Sequence, residues 1–113
     1  YTIHKLREAG AKEVHVRVAC PPLMFPCKYA LSTRSIDELA ARRAIRSLEG
    51  KDDADITPYL DPDTKEYSKM VKWISDDIGL DSLMYLRIDD MKEAITLPGE
   101  KLCTHCWDGS EEE

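Results

Sequence analysis

The chain has no apolar run near the ~18 residues that a helix needs to cross a bilayer. Its first residues, Tyr1-Thr2-Ile3-His4-Lys5-Leu6-Arg7, hold no signal-peptide core. Basic excess is missing as well: 16 Lys+Arg against 22 Asp+Glu leave a formal net charge of −6 and a pI near 5.1. That balance argues against nucleic acid or an anionic membrane as a partner. There is no glycine-rich phosphate loop, no His-Glu-x-x-His and no Gly-x-Ser-x-Gly. The adjacent acids Asp52-Asp53, Asp76-Asp77 and Asp89-Asp90 diverge on any helix or strand, so each reads as a cap or a solvated acid. An initiator methionine is absent too, and the chain opens inside a helical pattern, as a piece of a longer protein would. With 42% hydrophobic and 34% charged residues, the 113-residue chain reads as folded and soluble.

Cysteine is what the chain does have. Cys20 and Cys27 stand six residues apart across Pro21-Pro22-Leu23-Met24-Phe25-Pro26, and Cys103 and Cys106 form a Cys-x-x-Cys. Without a secretory signal, a cytoplasmic chain with thiolate ligands is the expectation, rather than a disulfide framework. Two pairs can supply four soft ligands, and spacing alone does not separate zinc from iron–sulfur or from four unligated thiols. A thioredoxin-type pair would open a helix after a strand; this one follows Pro98-Gly99. His105, inside the motif, is expected to hydrogen-bond rather than ligate.

Along the chain, helix formers from Ile3 to Ala9 stop at Gly10, and Val14, Val16 and Val18 then alternate with His15 and Arg17 as a strand. That strand needs partners elsewhere in the parent chain. Three prolines keep 21–26 extended, with Leu23, Met24 and Phe25 as packing residues. Ser35 and Glu38 form a capping-box pattern for a helix to about Glu49. Ile36, Ala40, Ala41, Ala44, Ile45 and Leu48 form its inner arc, and Arg42, Arg43 and Arg46 a solvated face. Lys51 to Asp63 reads as a surface connection with a short turn at Tyr59-Leu60. Asp63 and Glu66 then read as a cap pair. Tyr67, Met70, Val71, Ile74 and Ile78 mark the clearest helix, closed by Gly79. Ile36, Leu48, Met70, Val71 and Ile74 are expected to share one core. A strand Leu83-Met84-Tyr85-Leu86, a helix from Met91 to Ile95 capped by Asp89 and Asp90, and a frayed polar tail from Asp108 complete the order.

Taken in order, several of these motifs resemble one family. Leu6-Arg7-Glu8-Ala9-Gly10-Ala11-Lys12-Glu13-Val14-His15-Val16-Arg17-Val18, Cys20-Pro21-Pro22 and Pro26-Cys27-Lys28-Tyr29-Ala30 resemble the C-terminal part of the amidophosphoribosyltransferases. Asp37-Glu38-Leu39-Ala40, Leu80-Asp81-Ser82-Leu83-Met84-Tyr85-Leu86 and Cys103-Thr104-His105-Cys106-Trp107-Asp108-Gly109 continue the match. Arg42 to Trp73, with its acidic Lys51–Asp63 stretch, lacks a clear counterpart, and Cys20 replaces a small polar residue, so a divergent branch is expected.

The resemblance implies an enzyme of purine biosynthesis, a glycosyltransferase with an N-terminal glutaminase. Ammonia from glutamine attacks C1 of phosphoribosyl pyrophosphate, giving phosphoribosylamine, glutamate and pyrophosphate. Neither the terminal cysteine nucleophile nor the acidic phosphoribosyl loop of that family lies in these residues, so no catalytic or other cofactor-binding residue carries over. The chain alone is expected to be inactive. Many members hold a 4Fe–4S cluster, and Cys27, Cys103 and Cys106 match three of its ligand positions, the fourth coming from an upstream segment. The metal set expected here is Cys20, Cys27, Cys103 and Cys106, with Cys20 in place of the absent ligand. A three-cysteine set with Cys20 as spectator is the other reading.

The fold expectation is α/β: residues 1–34 end a phosphoribosyltransferase-like domain, and 35–113 form a helical subdomain with the Cys-x-x-Cys. Partners are the upstream domains of the parent, itself an expected homo-oligomer, with no nucleic acid and no membrane. The alternative is a small zinc-stabilised interaction module without a catalytic parent.

Overall fold

Gly10, at φ 103°, turns the chain out of helix α1 (Thr2–Glu8) and into strand β1 (His15–Val18). The computed structural model describes residues 2–29, 31 and 35–110. After the cysteine loop come a 3₁₀ turn (Ile36–Glu38), α2 (Ala40–Glu49), α3 (Thr57–Leu60) and α4 (Lys65–Ile78). They are followed by β2 (Ser82–Tyr85), α5 (Ile88–Ile95), a second 3₁₀ turn (Gly99–Lys101) and α6 (His105–Asp108). The architecture is mixed helix and strand. Among the described residues, no helix is long and apolar enough to cross a membrane.

The alternation of β1 is real: Val14 is buried and Val16 and Val18 half-buried, while His15 and Arg17 are exposed. One partner of this strand lies inside the chain, not outside it. β1 pairs with β2 in parallel, in the register His15↔Ser82 through Val18↔Tyr85. The core lies under this pair, where α2 crosses α4 and α4 backs β2. Met24, Ala41, Ala44, Ile45, Tyr59, Met70, Ile74 and Leu83 are buried together there. Asp81 closes the opposite end of the sheet, accepting from the Val14 amide at 2.7 Å and from Arg7 at 3.1 Å. These donors, the Val14 N–H first, hold its carboxyl below the usual carboxylate range against the opposing effect of burial.

Several helix starts differ from the pattern. The Ser35 side chain makes no cap bond, and Leu39 goes extended (φ −90°, ψ 117°) so that its side chain can bury, splitting the expected helix in two. Ile36 ends 42% exposed and Leu48 41%, outside the expected core, because Ala41, Ala44 and Ile45 carry the inner face of α2. Val71 only packs against that core half-buried, whereas Met70 and Ile74 are inside it. Thr64, not Asp63, caps α4 by accepting from the Tyr67 amide at 3.1 Å. Asp63 instead faces Arg87 in a two-pronged pair at 3.0 Å. Asp89 and Asp90 lie inside the first turn of α5, where they suit the helix dipole but cap nothing. Gly50 and Gly79 end α2 and α4 in the left-handed conformation, as the pattern predicts for both. The turn at Tyr59-Leu60 is present and deeper than a surface connection requires: Tyr59 is 3% exposed, and its hydroxyl donates to Glu49 at 2.6 Å.

Candidate metal centre

All four cysteines are thiols, none in a disulfide. Three prolines leave the loop after β1 few backbone donors of its own, so its course is set by bonds to other segments. The amides of Met24 and Phe25 both donate to the Cys106 carbonyl, at 2.8 and 3.0 Å. Met24, 1% exposed, drops into the core and anchors the loop there. The C-terminal segment meets it as a compact turn. Trp107 and Asp108 close their backbone bonds onto Thr104, and Gly109 turns left-handed at φ 75°. Buried Thr104 donates to Asp108, Asp108 accepts from the Ser110 amide, and His105 pairs with the Ser110 carbonyl at 3.1 Å. The first residues of the polar tail are therefore tied down; residues 111–113 lie outside the described part. The Cys-x-x-Cys does open a helix, α6, but that helix is one turn long and follows a 3₁₀ turn rather than a strand.

Electrostatics link Cys106 to two other thiols. Burial raises the Cys106 pKa most; its own backbone N–H opposes this, and the charges of Cys27, Cys103 and Asp108 add to the rise. With Met24 and Phe25 bonded to the Cys106 carbonyl, the loop that ends at Cys27 and the Cys103–Cys106 turn meet in one corner. Cys20, half-buried two residues after β1, adds to the rise at Tyr85, whose hydroxyl burial pushes up first. Among the described residues, no three His, Cys, Asp or Glu side chains gather at the spacing that one metal ion requires. A single zinc pulls its sulfurs together around one centre, whereas an iron–sulfur cube binds each cysteine to a different iron and holds the sulfurs farther apart.

His105 hydrogen-bonds, in line with its sequence reading, and also lies against Phe25, with ring centroids 5.7 Å apart. A polar cluster not evident from the sequence spans the sheet. Ser82 Oγ lies 2.7 Å from His15 Nδ1 and accepts from Arg17 at 2.9 Å, while His15 Nε2 lies 3.2 Å from Glu13. It joins hydroxyl, imidazole and carboxylate in a row. Arg17 occupies the serine oxygen, and the row stands open on the sheet face, so it serves as a cross-strand tie. Only the register His15↔Ser82, invisible before pairing, could have flagged it.

Comparison of the sequence with known proteins finds amidophosphoribosyltransferases. The sequence is 35% identical over 107 residues to amidophosphoribosyltransferase from Mycobacterium tuberculosis (strain ATCC 25618 / H37Rv), covering 95% of this chain and 16% of that protein. The chain is similar to one segment of the amidophosphoribosyltransferases. The amidophosphoribosyltransferase of Methanothermobacter thermautotrophicus is 33% identical over 92% of the chain, and the chloroplastic one of Vigna aconitifolia 32% identical over 95%, each match covering 17% of the relative. The chain spans about one sixth of the length of the amidophosphoribosyltransferases it matches. The matched span takes in residues 42–73, which the motifs alone leave without a counterpart. No family model matches the chain.

Proposed function

We propose that the chain is the C-terminal structural segment of a divergent amidophosphoribosyltransferase-like enzyme of purine biosynthesis, inactive by itself. The observation that carries this is the identity of 32–35% sustained over 92–95% of the chain. In the parent, strands from the upstream domains extend the two-stranded sheet, since a parallel pair is rarely left uncovered. Cys27, Cys103 and Cys106 supply three ligands to a 4Fe–4S cluster and a residue outside the chain supplies the fourth, leaving Cys20 a spectator beside Tyr85. The cluster's contribution is a cross-link between the proline-rich loop and the C-terminal turn. The grouping of three thiols around Cys106 supports this set over the four-cysteine one.

Anaerobic reconstitution with iron and sulfide, plus a small thiol as external fourth ligand, tests the ligand set. About four irons per chain are expected, retained in Cys20→Ser and lost in Cys27→Ser. Loss in Cys20→Ser, or uptake of zinc alone, overturns it. The reading frame upstream of Tyr1 tests the parentage: an acidic phosphoribosyl loop supports it and an unrelated domain overturns it.

A further inference from the structure

The three arginines of α2 look alike in sequence, but one of them turns inward. Arg46 stays on the surface between Asp37 and Asp52, at 2.6 and 2.7 Å. Arg42 is half-buried, and burial lowers its pKa. Its Nε donates to the Met24 carbonyl at 2.6 Å, and its guanidinium carbon stands 5.3 Å from the centre of the Phe25 ring. The Met24 peptide groups are thus held on two sides, the amide by the Cys106 carbonyl and the carbonyl by Arg42. Phe25 is wedged the same way. Arg42 lies on one side, His105 on another, and Gly109 so close that a Cβ there would stand 2.9 Å from the ring.

We infer that Arg42 is a positioning residue for the thiol corner: it clamps Met24-Phe25 against the 105–109 turn and so fixes Cys27 relative to Cys103 and Cys106. The clamp is a property of the metal-free chain. Only its purpose, to present three thiols to a cluster, rests on the function proposed above. Arginine suits the role because one planar group can donate to a carbonyl and lie near an aromatic ring at once, and a buried stem packs while the charge stays on.

Per-cysteine alkylation of the reduced, metal-free full chain, read by mass spectrometry, tests it. Losing a charged hydrogen bond should make Cys27 and Cys106 react about tenfold faster in Arg42→Met. Cys20, at the other end of the loop from Cys27, should keep its wild-type rate, as should exposed Cys103. Arg42→Lys, which retains charge and a donor, should restore most of the protection. Unchanged rates at Cys27 and Cys106 overturn the inference, and so does a parallel rise at Cys20, which means general loosening. Iron release to a chelator from the reconstituted chain separates the two readings. A wild type that takes up no iron sinks the cluster reading and leaves the alkylation result standing. A loaded Arg42→Met that releases iron no faster than wild type sinks the clamp.

Discussion

The two halves of this chain are held by different physics. The α2–α4–β2 core is a jigsaw of Ala41, Ala44, Ile45, Met70, Ile74 and Leu83, where every atom removed from water contributes and direction matters little. The thiol corner buries only Met24 and Thr104 fully and relies on directed bonds to two carbonyls, Cys106 and Met24, around one aromatic ring. Apolar burial tolerates small shifts; a hydrogen-bonded corner does not, and hydrogen bonds net only about 0.5–1.5 kcal/mol each. The core therefore rests on apolar burial, while the corner rests on a few directed bonds, and there a bound group can add order.

The sharpest way to break this contrast is inside the core. Ile74→Ala at a position 2% exposed should cost about 2–5 kcal/mol in denaturant unfolding. A near-neutral result would show that the core is no jigsaw. A smaller loss, about 1–2 kcal/mol and confined to the corner, is expected from Gly109→Ala, whose φ of 75° resists a side chain and whose new Cβ meets Phe25. Hydrogen exchange should quicken at 24–27 and 104–110 and stay unchanged in α4.

Tyr59 adds a pH-sensitive polar bond inside the core. Burial first, then the bond to Glu49, push its hydroxyl from 10.0 up to about 12. A folded pKa above the unfolded one means stability fully present below pH 10 and lost as the pH climbs towards about 12. Tyr59→Phe should flatten that alkaline fall and cost about 1 kcal/mol at neutral pH. The smallest effect is expected at Arg87→Gln. Its exposed pairing with Asp63 should give a shift in midpoint that fades in high salt. A salt-resistant loss would mean that the start of α5 is tied to α4 more firmly than the core/corner contrast allows.

The elements legible in the sequence are those whose partners are local. Gly10 and Gly79 end their helices, the valines of β1 alternate, and the Met70–Ile74 stripe is inside. What stayed hidden depends on residues far along the chain. The Ser35–Glu38 box loses to the burial of Leu39, and the exposure of Ile36 and Leu48 follows from which side of α2 meets α4. Arg42 belongs to a polar arc by periodicity and turns inward because a carbonyl, Met24, lies within reach. The three-thiol reading proposed above came from the sequence only through family resemblance. Spacing gave Cys20 as good a claim as Cys27, and the structure adds that Met24 and Phe25, between the two, bond to the Cys106 carbonyl.

The parallel pairing of His15 with Ser82 brings together residues 67 positions apart. Closing so long a loop has an entropic cost that grows as about (3/2)RT ln n, and it must be met before any bond of the sheet can form. The α2–α4 packing joins segments much nearer in sequence, so it is the natural nucleus, and β1 docks late. During synthesis the valine strand emerges before β2 exists and has to wait for it. Exposed Glu13 just before it, and His15 and Arg17 on its open face, then act as gatekeepers, discouraging the strand from pairing with another copy of itself.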